Sequence, residues 1–464
     1  MKTQFLLALA LVLSTPAALA AYNEPLPANK QVKDENPETT LSAAALAALT
    51  NKSKTNSLQE TNLYPYYGNV PEDMIPYNKI EPYYRYWLTR LPFRGPGKDY
   101  PDSPNLKSLK VGLLSPPSYG PEGARGKRTR QGVELAFDEA NAARQPGELP
   151  LAIVLREDSP QWGSAANIAV EFADNEVLGF LGTVDGDATH VALRVALKIE
   201  TYMINTSDPD PSLTETMIPW LTRVFPDERQ QSVRLAELVV KERGCQRIAV
   251  LRESSRPGRM GVAHFINFIR RLGHPAVQHL LYKAGDHNLE SQLQAIKNAM
   301  PDAIFFYGQP ADIGYAATLF RQAGIKAQYF GFDRLFEDSF AKAAGPNAEG
   351  TTITYYFDPN RADKPWLDFA NKYQQRYGEK PDIYAGYGYD GAKLMIQAIK
   401  KAGPNRFRIR DYLAGVNEFA GVTGPMAFDG RCDNIAPFWT AEYKQGAWHF
   451  QPPKKPAPPK LSQK

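Results

Sequence analysis

From Lys110 onward the chain alternates short apolar runs with amphipathic segments, and that rhythm restricts what it can fold into. The first repeat sets the pattern. Val111 to Leu114 is an apolar run closed by Ser115, Pro116 and Pro117, as in a buried parallel strand that stops abruptly. A loop rich in Gly and Arg follows. Val133, Leu135, Ala136, Phe137 and Ala140 then lay an apolar face along a helix, while Glu134, Asp138 and Glu139 turn mostly to water. Further β-prone runs fall at 151–155, 177–181, 202–204, 247–251, 303–307 and 351–356. Helical runs lie between them at 165–173, 188–198, 228–241, 261–271, 289–299 and 311–323. This spacing predicts parallel sheets covered on both faces, with ligands docking at the carboxyl ends of the strands. Helices dominate from Lys364 to Leu413, and the stretch from Gly421 to Phe450 reads as two strands around a Gly-containing turn.

A chain of 464 residues is too long for one small core, so at least two lobes are expected. The net charge of +4 is spread along the sequence with no phosphate-tracking stripe, which argues against nucleic acid as a partner. Lys2, the apolar run Phe5 to Leu13 and Ala18-Leu19-Ala20 read as a signal peptide over residues 1–20, cleaved after Ala20, for export to the periplasm. Residues 21–107 form a Pro/Tyr-rich N-terminal extension, with Tyr64, Tyr66, Tyr67, Tyr77, Tyr83, Tyr84, Tyr86 and Trp87 set among prolines that forbid long regular structure. Such an arm either wraps on the body, its aromatics filling grooves, or docks an envelope protein partner. The Pro/Lys-rich residues 451–464 read as a disordered tail. Cys245 and Cys432 stay open between a disulfide and two separate thiols.

The ordered set GVELAFDEAN, Asp158, VLGFLGTVDGDATH, YMINTSDPDPSLT and LTRVFPDERQQ resembles the first lobe of a type I periplasmic binding protein. Within that family it is similar to the leucine/isoleucine/valine-binding proteins that feed ABC transporters. RIAVLRES, DAIFFYGQPADIGYAATLFRQAG, YFGFDRLFED and the closing GVTGPMAFDG resemble the second lobe. The likeness spans roughly Lys110 to Phe450 and leaves out the arm. It implies an α/β fold of two doubly wound parallel-sheet lobes joined by three crossovers. Lobe one would take 108–226 plus 358–419, and lobe two 227–357 plus 420–450. It also implies a small-molecule ligand trapped between the lobes, an ABC permease in the inner membrane as partner, and no catalysis.

Carried over residue by residue, the resemblance places ligand contacts at Thr183, Asp185, Asp187 and Thr189 in the first loop and at Thr206, Ser207 and Asp208 in the second. Arg125, Arg259, Gln309 and Asp333 fall at contact positions elsewhere, with Asp333 where the family binds a ligand ammonium. The chain departs from the family at Pro209, which replaces a ligand-bonding threonine and has no N–H to offer. Asp185, Asp187, Asp208 and Asp210 would charge one wall of the cleft negatively, repelling a carboxylate and favouring a cation or a polyhydroxyl ligand. Asp187 also suits a plain helix N-cap. GYGYDG, 386–391, matches a dinucleotide fingerprint but follows a helix and a Pro-containing link, so packing is expected instead. The six histidines make no metal-ligand spacing with one another or with cysteine, and no metal, cofactor or catalytic group is expected.

Overall fold

The computed structural model describes residue 93 and residues 95–453, save 104, 162 and 217. The chain separates into residues 1–61 and 62–464, and every described residue belongs to the second unit. The expected signal peptide, the part of the expected extension before Phe93 and the expected tail from 454 lie outside the described residues.

The strands that end in proline or glycine loops are those whose residues are apolar on both sides. In lobe one they are β1 (Leu109–Ser115), β2 (Leu151–Glu157), β3 (Gly179–Leu181), β4 (Tyr202–Asn205) and β5 (Leu221–Arg223), paired in parallel in the order β2-β1-β3-β4-β5. Every residue of β3, β4 and β5 is buried, as both faces are covered by helices. The crossover helices are α1 (Pro121–Ala142), α2 (Ser164–Asp174), α3 (Gly186–Lys198) and the single turn α4 (Ser212–Glu215).

Lobe two begins with α5 (Glu228–Ala236), which runs on as a π-turn over Glu237–Glu242. Then follow β6 (Ile248–Glu253), α6 (Arg256–Arg271), β7 (Gln278–Tyr282), α7 (Glu290–Ala299), β8 (Ala303–Tyr307), α8 (Pro310–Gln322), β9 (Gln328–Gly331), α9 (Asp338–Ala344) and β10 (Thr352–Tyr355). The chain returns to lobe one as α10 (Lys364–Tyr377), α11 (Ile383–Ala402) and α12 (Arg406–Gly415). It closes with β11 (Glu418–Gly421), β12 (Gly424–Ala427), β13 (Trp439–Lys444) and β14 (Ala447–Gln451).

The second sheet has the order β14-β13-β10-β9-β8-β6-β7, parallel from β10 to β7 with an antiparallel hairpin at the other edge. The C-terminal stretch thus holds two hairpins rather than two strands. Gln445 and Gly446 both have positive φ, at 53° and 81°, which is the backbone of a tight turn whose twist matches its strands.

Two features position the cleft. The first is the close approach of α1 and α11, allowed by glycine: a Cβ on Gly132 would lie 2.0 Å from the Ala385 carbonyl oxygen, and one on Gly388 would lie 2.4 Å from that of Thr129. The fingerprint-like GYGYDG sits inside α11, where Gly388 serves this contact, Gly386 faces Thr423 and Trp366, and Gly391 faces Thr206 and Ile204. The second is a buried ionic knot where the chain crosses between lobes, at 224–227, 356–363 and 428–438. Arg223, with no exposed surface, donates from Nε to Asp433 at 2.7 Å and from Nη2 to Asp227 at 3.1 Å. Thr214 adds a 2.6 Å bond to the other Asp433 oxygen. Burial alone would lower the Arg223 pKa, but the two carboxylates outweigh it and hold the guanidinium firmly charged.

The last part of the extension is ordered against lobe one. The Phe93 ring lies 4.8 Å from Phe407 and 5.8 Å from Trp220, centroid to centroid. Asp411 accepts from the Phe93 amide at 2.8 Å and from Lys98 at 2.9 Å. Asn405 donates to the Gly97 carbonyl at 2.9 Å, and Arg408 bonds Asp102.

Candidate ligand cleft

The facing loops at the carboxyl ends of the two sheets meet, and charged side chains join them across the gap. In the loop after β3, Asp185 caps α3: its side chain accepts from the Asp187 amide at 3.1 Å, and the Thr189 hydroxyl donates to its carbonyl at 2.7 Å. Capping therefore falls to Asp185, which leaves Asp187 69% exposed at its side chain. Thr183 is buried and its hydroxyl has no hydrogen-bond partner.

The loop after β4 divides in two. Thr206 and Ser207 turn inward: the Ser207 hydroxyl lies 2.7 Å from that of Thr129 on α1 and donates to Thr206 at 3.3 Å. Asp208 and Asp210 turn towards the gap. Asp208, only 2% exposed, accepts from the Asp210 amide at 3.0 Å with one oxygen and has no partner for the other. Burial, and then the neighbouring Asp210 carboxylate, push its pKa up to about 7. Burial acts on Asp210 in the same direction, but two bonds from Ser212, at 2.9 and 2.6 Å, and the Arg256 cation outweigh it and hold Asp210 low.

Arg256, the first residue of α6 in lobe two, crosses the gap. Its Nε lies 3.0 Å from Asp187 and its Nη2 lies 2.7 Å from Asp210. The Ser255 side chain caps α6, accepting from the Gly258 amide at 3.1 Å, and so fixes where Arg256 leaves the backbone. Arg259, expected as a contact, is exposed one turn further along α6.

A second crossing lies deeper. Arg125 is buried, held by Glu122 at 2.9 and 3.1 Å on its own helix and by Glu337 of lobe two at 2.7 Å. Its guanidinium carbon sits 5.8 Å from the Tyr384 ring centroid. Arg334 of lobe two reaches to 3.7 Å from Glu122 and stacks at 5.4 Å on Tyr307. Asp333 is buried beside it. It opens a short 3-10 turn, Asp333–Phe336, rather than capping a helix, and accepts from Gln231 at 2.9 Å. Burial raises the Asp333 pKa, with Gln231 and Arg334 opposing. Tyr307 donates to Glu228 at 2.5 Å, and burial pushes Glu228 up to about 8. Gln309 stands at the start of α8, where its amide donates to the Tyr282 hydroxyl at 3.1 Å.

The structure thus gathers Asp187, Asp208, Arg125 and Asp333 at the gap and keeps Asp185, Thr189, Thr206 and Ser207 for the internal bonding of lobe one. Sequence reasoning missed Arg256, Glu122, Glu337, Arg334, Glu228, Tyr307 and Tyr384. For Arg256 a signal existed: Ser255 followed by Pro257 marks a helix start, which puts the arginine at its first position. Among the described residues no group of three His, Cys, Asp or Glu is arranged to hold a metal ion, and no helix is long and apolar enough to cross a membrane.

Two sheets in this order, joined by three crossings with charged loops meeting between them, define a type I binding-protein fold. The periplasmic binding protein family matches residues 108–447, and the chain belongs to that family. Among its relatives is Leu/Ile/Val-binding protein homolog 2 of Brucella abortus, 23% identical over 349 residues, which cover 74% of this chain and 92% of that one. The leucine-binding protein LivK of Thermotoga maritima superposes with a TM-score of 0.67 at 22% identity, over 74% of this chain and 98% of that one. A solute-binding protein of an ABC transporter from R. palustris, solved with benzoate, gives 0.64 at 19% identity, over 74% and 95%.

Proposed function

We propose that this chain is the solute-binding component of an ABC transporter, exported to the periplasm. It captures a small polar ligand, amino-acid-like or other, by hinge closure and presents the closed lobes to a permease in the inner membrane. Lobe one takes 108–226 plus 358–427, and lobe two 227–357 plus 439–450; a boundary at 419/420 would cut through the β11–β12 hairpin, which Asp390 of lobe one holds. The observation that carries this reading is the pair of crossings, Arg256 to Asp187 and Asp210 and Arg125 to Glu337, which make the facing loops one continuous contact surface. A ligand touching both sides of such a gap stabilises the closed arrangement over the open one, with no bond made or broken. The named relatives, a Leu/Ile/Val-binding protein homolog, a leucine-binding protein and a solute-binding protein solved with benzoate, support a small organic solute.

Mass spectrometry of what co-purifies from the native compartment, followed by calorimetry, tests the reading. A bound small molecule that also shrinks the radius of gyration supports it. A protein that carries no solute and whose scattering ignores a broad metabolite screen refutes it.

A second reading, a sensing or envelope-assembly module that binds a protein partner through residues 21–107, draws support from the stitching of Phe93, Gly97 and Lys98 to lobe one. That anchoring makes the extension continuous with the body. A pull-down that loses its partner when residues 21–92 are deleted favours this second role.

A further inference from the structure

We propose that Arg256 is a built-in occupant of a cation-recognising pocket on lobe one, and that the solute this protein captures carries a guanidinium or ammonium group that takes its place. This rests on the solute-binding reading above and names the chemical class of the ligand.

The pocket is formed by Asp187, Asp208 and Asp210 around Gly186. The missing side chain makes the room: a Cβ on Gly186 would lie 2.6 Å from Arg256 Nη1 and 3.0 Å from Asp210 Oδ2. The guanidinium therefore rests on bare backbone between two carboxylates, at 3.0 Å from Asp187 and 2.7 Å from Asp210. The planar fork of a guanidinium suits two carboxylates at once.

The third acidic group shows that Arg256 does not exhaust the pocket. Asp208 is 2% exposed and its Oδ2 is left without a donor, because the one hydroxyl beside its carboxylate, that of Thr189, donates to the Asp185 carbonyl at 2.7 Å. That oxygen lies 3.5 Å from the same Gly186 Cβ position, so it faces the space the guanidinium enters. A buried carboxylate oxygen without a donor is an acceptor waiting for one. The other charges nearby are committed. Asp185 caps its helix, and Arg223 is held by Asp433 and Asp227. His190 lies 3.8 Å from Asp210 and 2.8 Å from the Ser212 hydroxyl.

Arg256 belongs to the other lobe and withdraws when the gap opens. Lobe one then faces water with Asp187 and Asp210 unpaired and Asp208 behind them. A solute entering by its carboxylate meets like charge there, whereas a cationic end meets the three oxygens that Arg256 engages or leaves free.

The test is calorimetry on the full chain with agmatine, which has a guanidinium and an ammonium but no carboxylate, and with benzoate, which has no cationic group, as the comparison probe. Arg256→Gln should bind agmatine at least tenfold more tightly than the unaltered chain, with benzoate unmoved. The gain should vanish in Arg256→Gln combined with Asp187→Asn, an exposed substitution that leaves the buried loop intact. Equal agmatine affinity with and without Arg256, or a gain that survives Asp187→Asn, overturns the proposal. If the native solute is found and has no cationic group, this inference alone falls. If no solute of any class binds, the transport reading falls with it.

Discussion

At the scale of single residues, burial and pairing compete to set the charges of this protein, and burial prevails at Glu228 and Asp208. Glu228 is the clearest case, with a carboxyl held near pH 8 rather than its usual 4.5. A folded-state pKa above the unfolded one means that folding binds the proton. Its contribution is full below about pH 4.5 and fades as pH rises through 8. Thermal melts between those limits should show a loss of a few kcal/mol, at about 1.4 kcal/mol per unit, that Glu228→Gln flattens. Arg223 lies at the other extreme: Arg223→Met removes the cation that Asp227 and Asp433 share, leaving them only Arg229 at 3.2 Å and Arg431 at 3.6 Å, and should cost up to roughly 3–5 kcal/mol in urea unfolding. Cys245 and Cys432 are both buried and form no disulfide, and burial pushes the Cys245 thiol up to about 11. Both thiols should resist a thiol reagent in the native protein and react fully once it is unfolded. The sequence had left that pairing open, because nothing along a chain tells how far apart two distant Cα atoms end up.

At the scale of elements, much was legible because each buried strand is apolar on both faces and each helix on one. The apolar runs at 177–181, 202–204 and 303–307 became β3, β4 and β8 with little change of bounds. β7 was missed for a physical reason: it is an edge strand whose alternate residues, His279 and Leu281, are exposed, so it lacks a continuous apolar run. The loops of the site were legible as loops, and Asp187, Asp208 and Asp333 could be placed at strand ends. The pairs across the gap could not, since Arg256, which meets Asp187, and Glu337, which meets Arg125, come from the other lobe, and an ion pair between distant segments leaves no local pattern. The α1–α11 contact makes a prediction at this scale. Gly132→Ala drives a methyl into the Ala385 carbonyl and should destabilise by about 1–3 kcal/mol, read as a lower urea midpoint with unchanged slope.

At the scale of the whole molecule, two lobes share a gap whose closure is held in part by half-exposed ions. Asp187 and Glu337 are 69% and 47% exposed at their side chains, so salt reaches the pairs they make. Raising ionic strength from about 0.02 to about 0.5 M should enlarge the radius of gyration of the solute-free protein, and Arg256→Gln should shrink that response. The stitching of Phe93, Gly97 and Lys98 to Asn405, Phe407 and Asp411 ties this seam to lobe one. A hinge that swings lobe two therefore leaves the seam undisturbed, and it travels as ballast on one side only.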